Sequence, residues 1–101
     1  MQFIVIGRDY KDGLERRLAV REKHITLGNK LKADGKHLFG VVLLDEKGQM
    51  KGSVLIVDFP SRKELDEWLE IEPYVTGKVW EKIEITPCKI GPSFADVIKL
   101  Q

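Results

Sequence analysis

The chain has 101 residues, 43% hydrophobic and 33% charged, with a formal net charge of +1. That length holds one domain, the composition excludes a disordered tail protein, and no apolar run approaches the ~18 residues of a membrane span. Seventeen basic residues against sixteen acidic ones leave no field for a polyanion, so neither nucleic acid nor membrane is an expected partner.

The elements follow in order. Phe3–Gly7 is a short apolar run closed by Arg8 and Asp9, which predicts a buried first strand. It lacks the basic stretch and the long apolar run expected of a signal peptide. The lone Cys88 can form no internal disulfide, which fits a reducing compartment, and the expected location is the cytoplasm. Gly13–Ala33 reads as a long helix with Asp12 as N-cap and Gly35 just past its end. The apolar runs His37–Leu44 and Met50–Phe59, joined by Asp45–Gln49, read as a hairpin. Ser61 and Glu64 form a capping box ahead of a second helix carrying Leu65, Trp68 and Leu69, which ends at Glu72-Pro73-Tyr74. Val79–Thr86 alternates like a strand, and Pro87 is expected to stop it.

The order is β-α-β-β-α-β, the ferredoxin-like arrangement: one four-stranded antiparallel sheet with two helices on a single face. Both faces of the hairpin are apolar, with Phe39, Val41, Val54 and Ile56 opposite Val42, Leu55 and Val57. Helices cover one face, so a second copy is expected to cover the other in a homodimer. Residues 1–90 form this domain. Residues 91–101 are a tail, with Phe94, Val97 and Ile98 at helical spacing.

On a helical wheel, Leu14, Leu18 and Ile25 form one apolar cluster and Val20, Leu27 and Leu31 another. Between them lie Arg17, Arg21, His24 and Gly28. Burying such groups without partners costs several kcal/mol each, so they either snorkel to water or line a polar cleft.

Two segments carry a family resemblance. Leu14-Glu15-Arg16-Arg17 followed by Arg21-Glu22-Lys23-His24 resembles the first-helix motif of YciI-like proteins. Glu72-Pro73-Tyr74-Val75, Gly77 and Val79-Trp80-Glu81 resemble that family's D-P-Y-V segment, and Asp9 matches a family acidic position. The resemblance implies a dimeric α/β-barrel, related to muconolactone isomerase and a chlorinated hydroquinone dehydrochlorinase, with a His–Asp pair as the active site. By motif position His24 is the family histidine. Its acid is Asp9 or the residue in the D-P-Y position, which is Glu72 here and longer by one methylene.

A histidine beside a carboxylate is a general acid or base, and two arginines one turn apart can hold one anion. The expected function is therefore cofactor-independent lyase or isomerase chemistry on a small anionic metabolite. In this reading His24 and Asp9 are catalytic, and Arg17, Arg21, Glu72 and Tyr74 bind substrate. The alternative is a dimeric module that binds the metabolite without turning it over. Two histidines at the spacing of His24 and His37 fit no metal signature. Trp68, Tyr74 and Trp80 read as core or pocket lining, His37 as the start of a strand, and Cys88 as no nucleophile.

Overall fold

The computed structural model of the protein describes residues 1–99. Four strands, β1 (Gln2–Asp9), β2 (His37–Leu44), β3 (Met50–Asp58) and β4 (Trp80–Cys88), pair antiparallel in the order β2-β3-β1-β4. Helices α1 (Leu14–Ala33) and α2 (Arg62–Ile71) occupy the two crossovers, which is the expected ferredoxin-like unit.

Register fixes the two faces. Phe3 pairs with Val57, Val5 with Leu55 and Gly7 with Ser53, and these residues face the helices. The core there is Phe3, Val5, Val57, Leu65, Trp68, Tyr74, Val79 and Trp80, all buried. The alternate residues Ile4, Ile6, Val54 and Ile56 point to the other face, where Phe39 pairs with Ile56 and Val41 with Val54. Phe39 is 43% exposed and Val41 49%, so the outer face is apolar and open.

Local chemistry accounts for most boundaries. Ser61 Oγ accepts from the Glu64 amide at 3.3 Å and starts α2. Gly35 follows α1 at φ 74°, a conformation that costs other residues about 1 kcal/mol or more. Asp45 Oδ1 accepts from the amides of Lys47 and Gln49 and shapes the hairpin turn. Those hydrogen bonds hold its carboxyl below the usual range.

Several expectations change. Gly13, not Asp12, is the N-cap of α1 and gives it no side-chain cap; Asp12 instead accepts from Arg16 at 3.3 Å. Pro87 does not end β4, which runs on to Cys88. β4 is an edge strand, so a missing N–H is tolerated there. A short helix, α3 (Pro73–Thr76), adds to the predicted set. The tail carries a 3-10 turn over Pro92–Phe94 and a helix α4 (Ala95–Lys99), anchored where the Ile90 amide donates to Gln2 Oε1 at 2.7 Å. The last two residues of the predicted tail lie outside the described residues.

The wheel reading of α1 also needs correction. Leu18 is 55% exposed and Ile25 39%, so that cluster is not core. Arg17 and Leu31 are buried, Val20 and Leu27 pack on the core, and His24 is half-buried among them. The inward stripe is thus Arg17, Val20, His24, Leu27 and Leu31, a repeat of seven in which two places are polar.

Candidate functional site

The polar positions of that stripe meet two different carboxylates. Arg17 is 2% exposed. Its Nε donates to Asp9 Oδ2 at 2.8 Å and its Nη2 to Asp9 Oδ1 at 3.0 Å, a two-pronged pair at the end of β1. Nη2 also donates to Ser53 Oγ at 2.8 Å on β3. The guanidinium lies 4.4 Å from the Tyr74 ring centroid, in cation–π range. Arg17 thus ties α1, β1, β3 and α3 together.

His24 follows two turns later, about 10 Å further along α1. Its Nδ1 donates to Glu72 Oε2 at 2.6 Å. Glu72 is fully buried at the α2–α3 junction. The same Oε2 accepts the Tyr74 amide at 3.0 Å, so Glu72 is also the N-cap of α3. The Tyr74 ring stacks on the His24 imidazole at 3.8 Å and 13°. The Trp80 indole meets the imidazole edge-on at 6.5 Å. Trp80 has room because position 7 is glycine: a Cβ there would fall 2.3 Å from the indole.

With Nδ1 donating to a carboxylate, a neutral His24 presents Nε2 as a bare base. A cavity of about 260 Å³ adjoins it, lined by Arg17, Arg21, His24, Met50, Ser53 and Tyr74. Among the described residues Arg21 makes no ion pair, so its charge is available to that cavity. Burial raises the Tyr74 hydroxyl above its ordinary pKa, and the Arg17 and Arg21 charges oppose that rise. A second cavity of about 200 Å³ shares His24 and adds Gly28 and His37. Another hollow, about 380 Å³, includes Asp9 and Lys11 but not His24.

Of the predicted site residues, the fold gathers Arg17, Arg21, His24, Glu72 and Tyr74 around one cavity or its wall. It separates Asp9 from His24: Asp9 pairs with Arg17, and the acid at His24 is Glu72. Arg17 has little left for a substrate, since Nε and Nη2 are taken. Ser53, His37 and Trp80 belong to the site's surroundings and were absent from the predicted set. Ser53 left a signal, a hydroxyl on the same face as Leu55 and Val57. Among the described residues no cluster of three His, Cys, Asp or Glu side chains could hold a metal, and no helix is long and apolar enough to cross a membrane.

The YCII-related domain family matches residues 1–89. The chain belongs to that family. Protein YciI of Escherichia coli O6:H1 is 30% identical over 95 residues, covering 88% of this chain and 97% of that one. A Haemophilus influenzae protein is 28% identical over the same shares. In structure, this YCII-related chain is similar to the 5-chloro-2-hydroxyhydroquinone dehydrochlorinase of Burkholderia phenoliruptrix AC1100, solved with 2,5-dihydroxybenzoquinone. The TM-score is 0.81 at 23% identity, covering 92% of this chain and 98% of that one, which establishes the fold.

Proposed function

We propose that this YCII-related protein is a cofactor-independent acid/base enzyme of the lyase or isomerase type, acting on a small anionic substrate. The observation that carries the reading is the 2.6 Å His24–Glu72 hydrogen bond at the wall of an arginine-lined cavity. His24 Nε2 takes a proton from the carbon beside the substrate's carbonyl or carboxylate. The electron pair left behind either expels a leaving group from the adjacent carbon, or takes a proton at a different carbon. The first is an elimination and the second an isomerisation.

Glu72 holds the imidazole in one tautomer and stabilises the imidazolium that forms. Arg21 balances the substrate's charge. Asp9 acts through Arg17, fixing that side chain as a wall of the cavity. The dehydrochlorinase activity of the structural relative supports an elimination by analogy of fold. Two copies, packed outer face to outer face, would cover Phe39 and Val41.

The test is a screen of small carboxylates and acidic phenols for proton exchange, isomerisation and loss of a leaving group, with His24→Ala run alongside. Turnover by the wild type that falls by about 10²-fold or more in His24→Ala supports the reading. Tight binding of a carboxylate without any turnover would instead favour a metabolite-binding module. Turnover untouched by His24→Ala would sink the assignment.

A further inference from the structure

Glu72 uses one oxygen twice and the other not at all. Oε2 serves His24 and the Tyr74 amide, while Oε1 is buried with no hydrogen-bond partner. A buried carboxylate oxygen left bare costs about 1–3 kcal/mol, more when charged. Among the described residues the other buried, partnerless side-chain atoms are the indole donors Trp68 Nε1 and Trp80 Nε1, and His37 Nε2, which donates when the proton sits on it. One unmet acceptor and these three nitrogens therefore sit among buried side chains.

Of these, His37 is the one that shares a cavity with His24. It opens β2, is 7% exposed, and meets the Trp68 indole edge-on at 4.7 Å. Trp68 lies in the last turn of α2, and Glu72 follows as the residue that ends that helix. His37 also lines the cavity between α1 and β2 that His24 lines, with Gly28 leaving open space beside them.

We propose that His37 is a positioning residue for the His24–Glu72 pair: its neutral imidazole donates from Nε2 across one water to Glu72 Oε1 and holds the carboxylate so that Oε2 faces His24. The proposal rests on the His24–Glu72 reading of the site.

The electrostatics fit this role. Burial drives the His37 pKa down to about 4, against a smaller upward pull from the Glu72 charge and a smaller downward one from His24. The Glu72 charge therefore reaches His37, and His37 stays neutral near pH 7. A charged His37 would compete with His24 for the carboxylate. Other charged groups near this cluster are Arg17 and Arg21 of α1, both acting on Tyr74, and Lys32, which lines the cavity beside His37.

The chain has two histidines, so imidazole nitrogen NMR reads each without ambiguity. The tautomer of His24 is recorded at pH 7 in the wild type and in His37→Leu, His37→Phe, His37→Gln, Trp68→Phe and Glu72→Gln. The wild type should hold His24 almost wholly as the Nδ1–H form. His37→Leu should lower the ratio of that form to the Nε2–H form by roughly 3- to 10-fold, the worth of one hydrogen bond. His37→Gln keeps a donor and should restore most of the ratio, while Trp68→Phe should leave it alone.

His37→Phe preserves the ring against Trp68 and gives the same reading if the leucine variant does not fold. An unchanged His24 ratio in a folded His37→Leu or His37→Phe protein overturns the proposal, as does a loss confined to Trp68→Phe. The Glu72→Gln arm separates the two levels of argument. If it shifts His24 and the His37 variants do not, only the role of His37 falls. If it too leaves His24 unchanged, the His24–Glu72 pairing falls with it.

Discussion

Glu72 binds His24 with the same oxygen that starts the next helix. Oε2 stands 2.6 Å from His24 Nδ1 and 3.0 Å from the Tyr74 amide. The His24–Glu72 pair and the local backbone are therefore coupled: whatever moves α3 moves the acceptor for His24, and the Tyr74 ring stacked on the imidazole moves with it.

That coupling makes Glu72 substitutions informative. Glu72→Ala removes an N-cap and a buried charged acceptor together, so it should cost about 2–4 kcal/mol in urea denaturation. Glu72→Asp keeps a good N-cap residue and its charge but withdraws the carboxylate by one methylene. It should stay within about 1 kcal/mol of wild type while weakening the contact to His24. Denaturation midpoints together with the His24 imidazole spectrum check both halves. Equal loss of stability in the two variants would show that the cap contributes little.

Arg17 tests a different kind of site. It is a buried cation whose partner, Asp9, is also buried, with side chains 2% and 4% exposed. Arg17→Met should destabilise the protein by roughly 3–5 kcal/mol, because the Asp9 charge is left uncompensated. The double change Arg17→Met with Asp9→Asn should recover much of that loss, since no charge is stranded. A double variant as unstable as the single one would mean that packing of the arginine stem, rather than the ion pair, dominates.

The strand and helix order was legible because its signals are local: alternation, the Ser61 cap and Gly35 are each read within a few residues. The polar stripe was legible too, since Arg17 and His24 are one heptad apart on a helix whose other inward positions are apolar. Their partners were not. Asp9 and Glu72 both lie outside α1, and which of them reaches His24 depends on how far along the helix each crossover delivers its acid. β1 ends opposite the first turns of α1, beside Arg17. The α2–α3 junction arrives two turns later, beside His24. Pro87 was misread for a similar reason, because edge position in a sheet is a property of topology and not of the strand's own sequence.

Two glycines near the site should respond in opposite directions. Gly7 lies under Trp80, where an added Cβ would fall 2.3 Å from the indole. Gly7→Ala should cost about 1–3 kcal/mol and displace the ring that meets His24 edge-on. Gly28 is inside α1 with nothing within 4 Å of an added Cβ. Gly28→Ala should stabilise the helix by up to about 1 kcal/mol. Thermal midpoints decide both. A neutral Gly7→Ala would mean that Trp80 can move without penalty, and the rigid wall it gives the imidazole would have to be abandoned.

His37 gives the protein a pH dependence with a definite sign. Its folded pKa is about 4 against an ordinary 6.5, so the unfolded chain binds the proton first. Stability from keeping His37 neutral is complete above about pH 6.5 and is lost as the pH falls toward about 4, a total of roughly 3 kcal/mol. Other acid-labile groups contribute over the same range, so the difference between proteins is what counts. His37→Phe should show a shallower fall in unfolding free energy between pH 6.5 and 4 than the wild type. Parallel curves for the two proteins would mean that His37 protonates in place, and that burial does not hold it neutral.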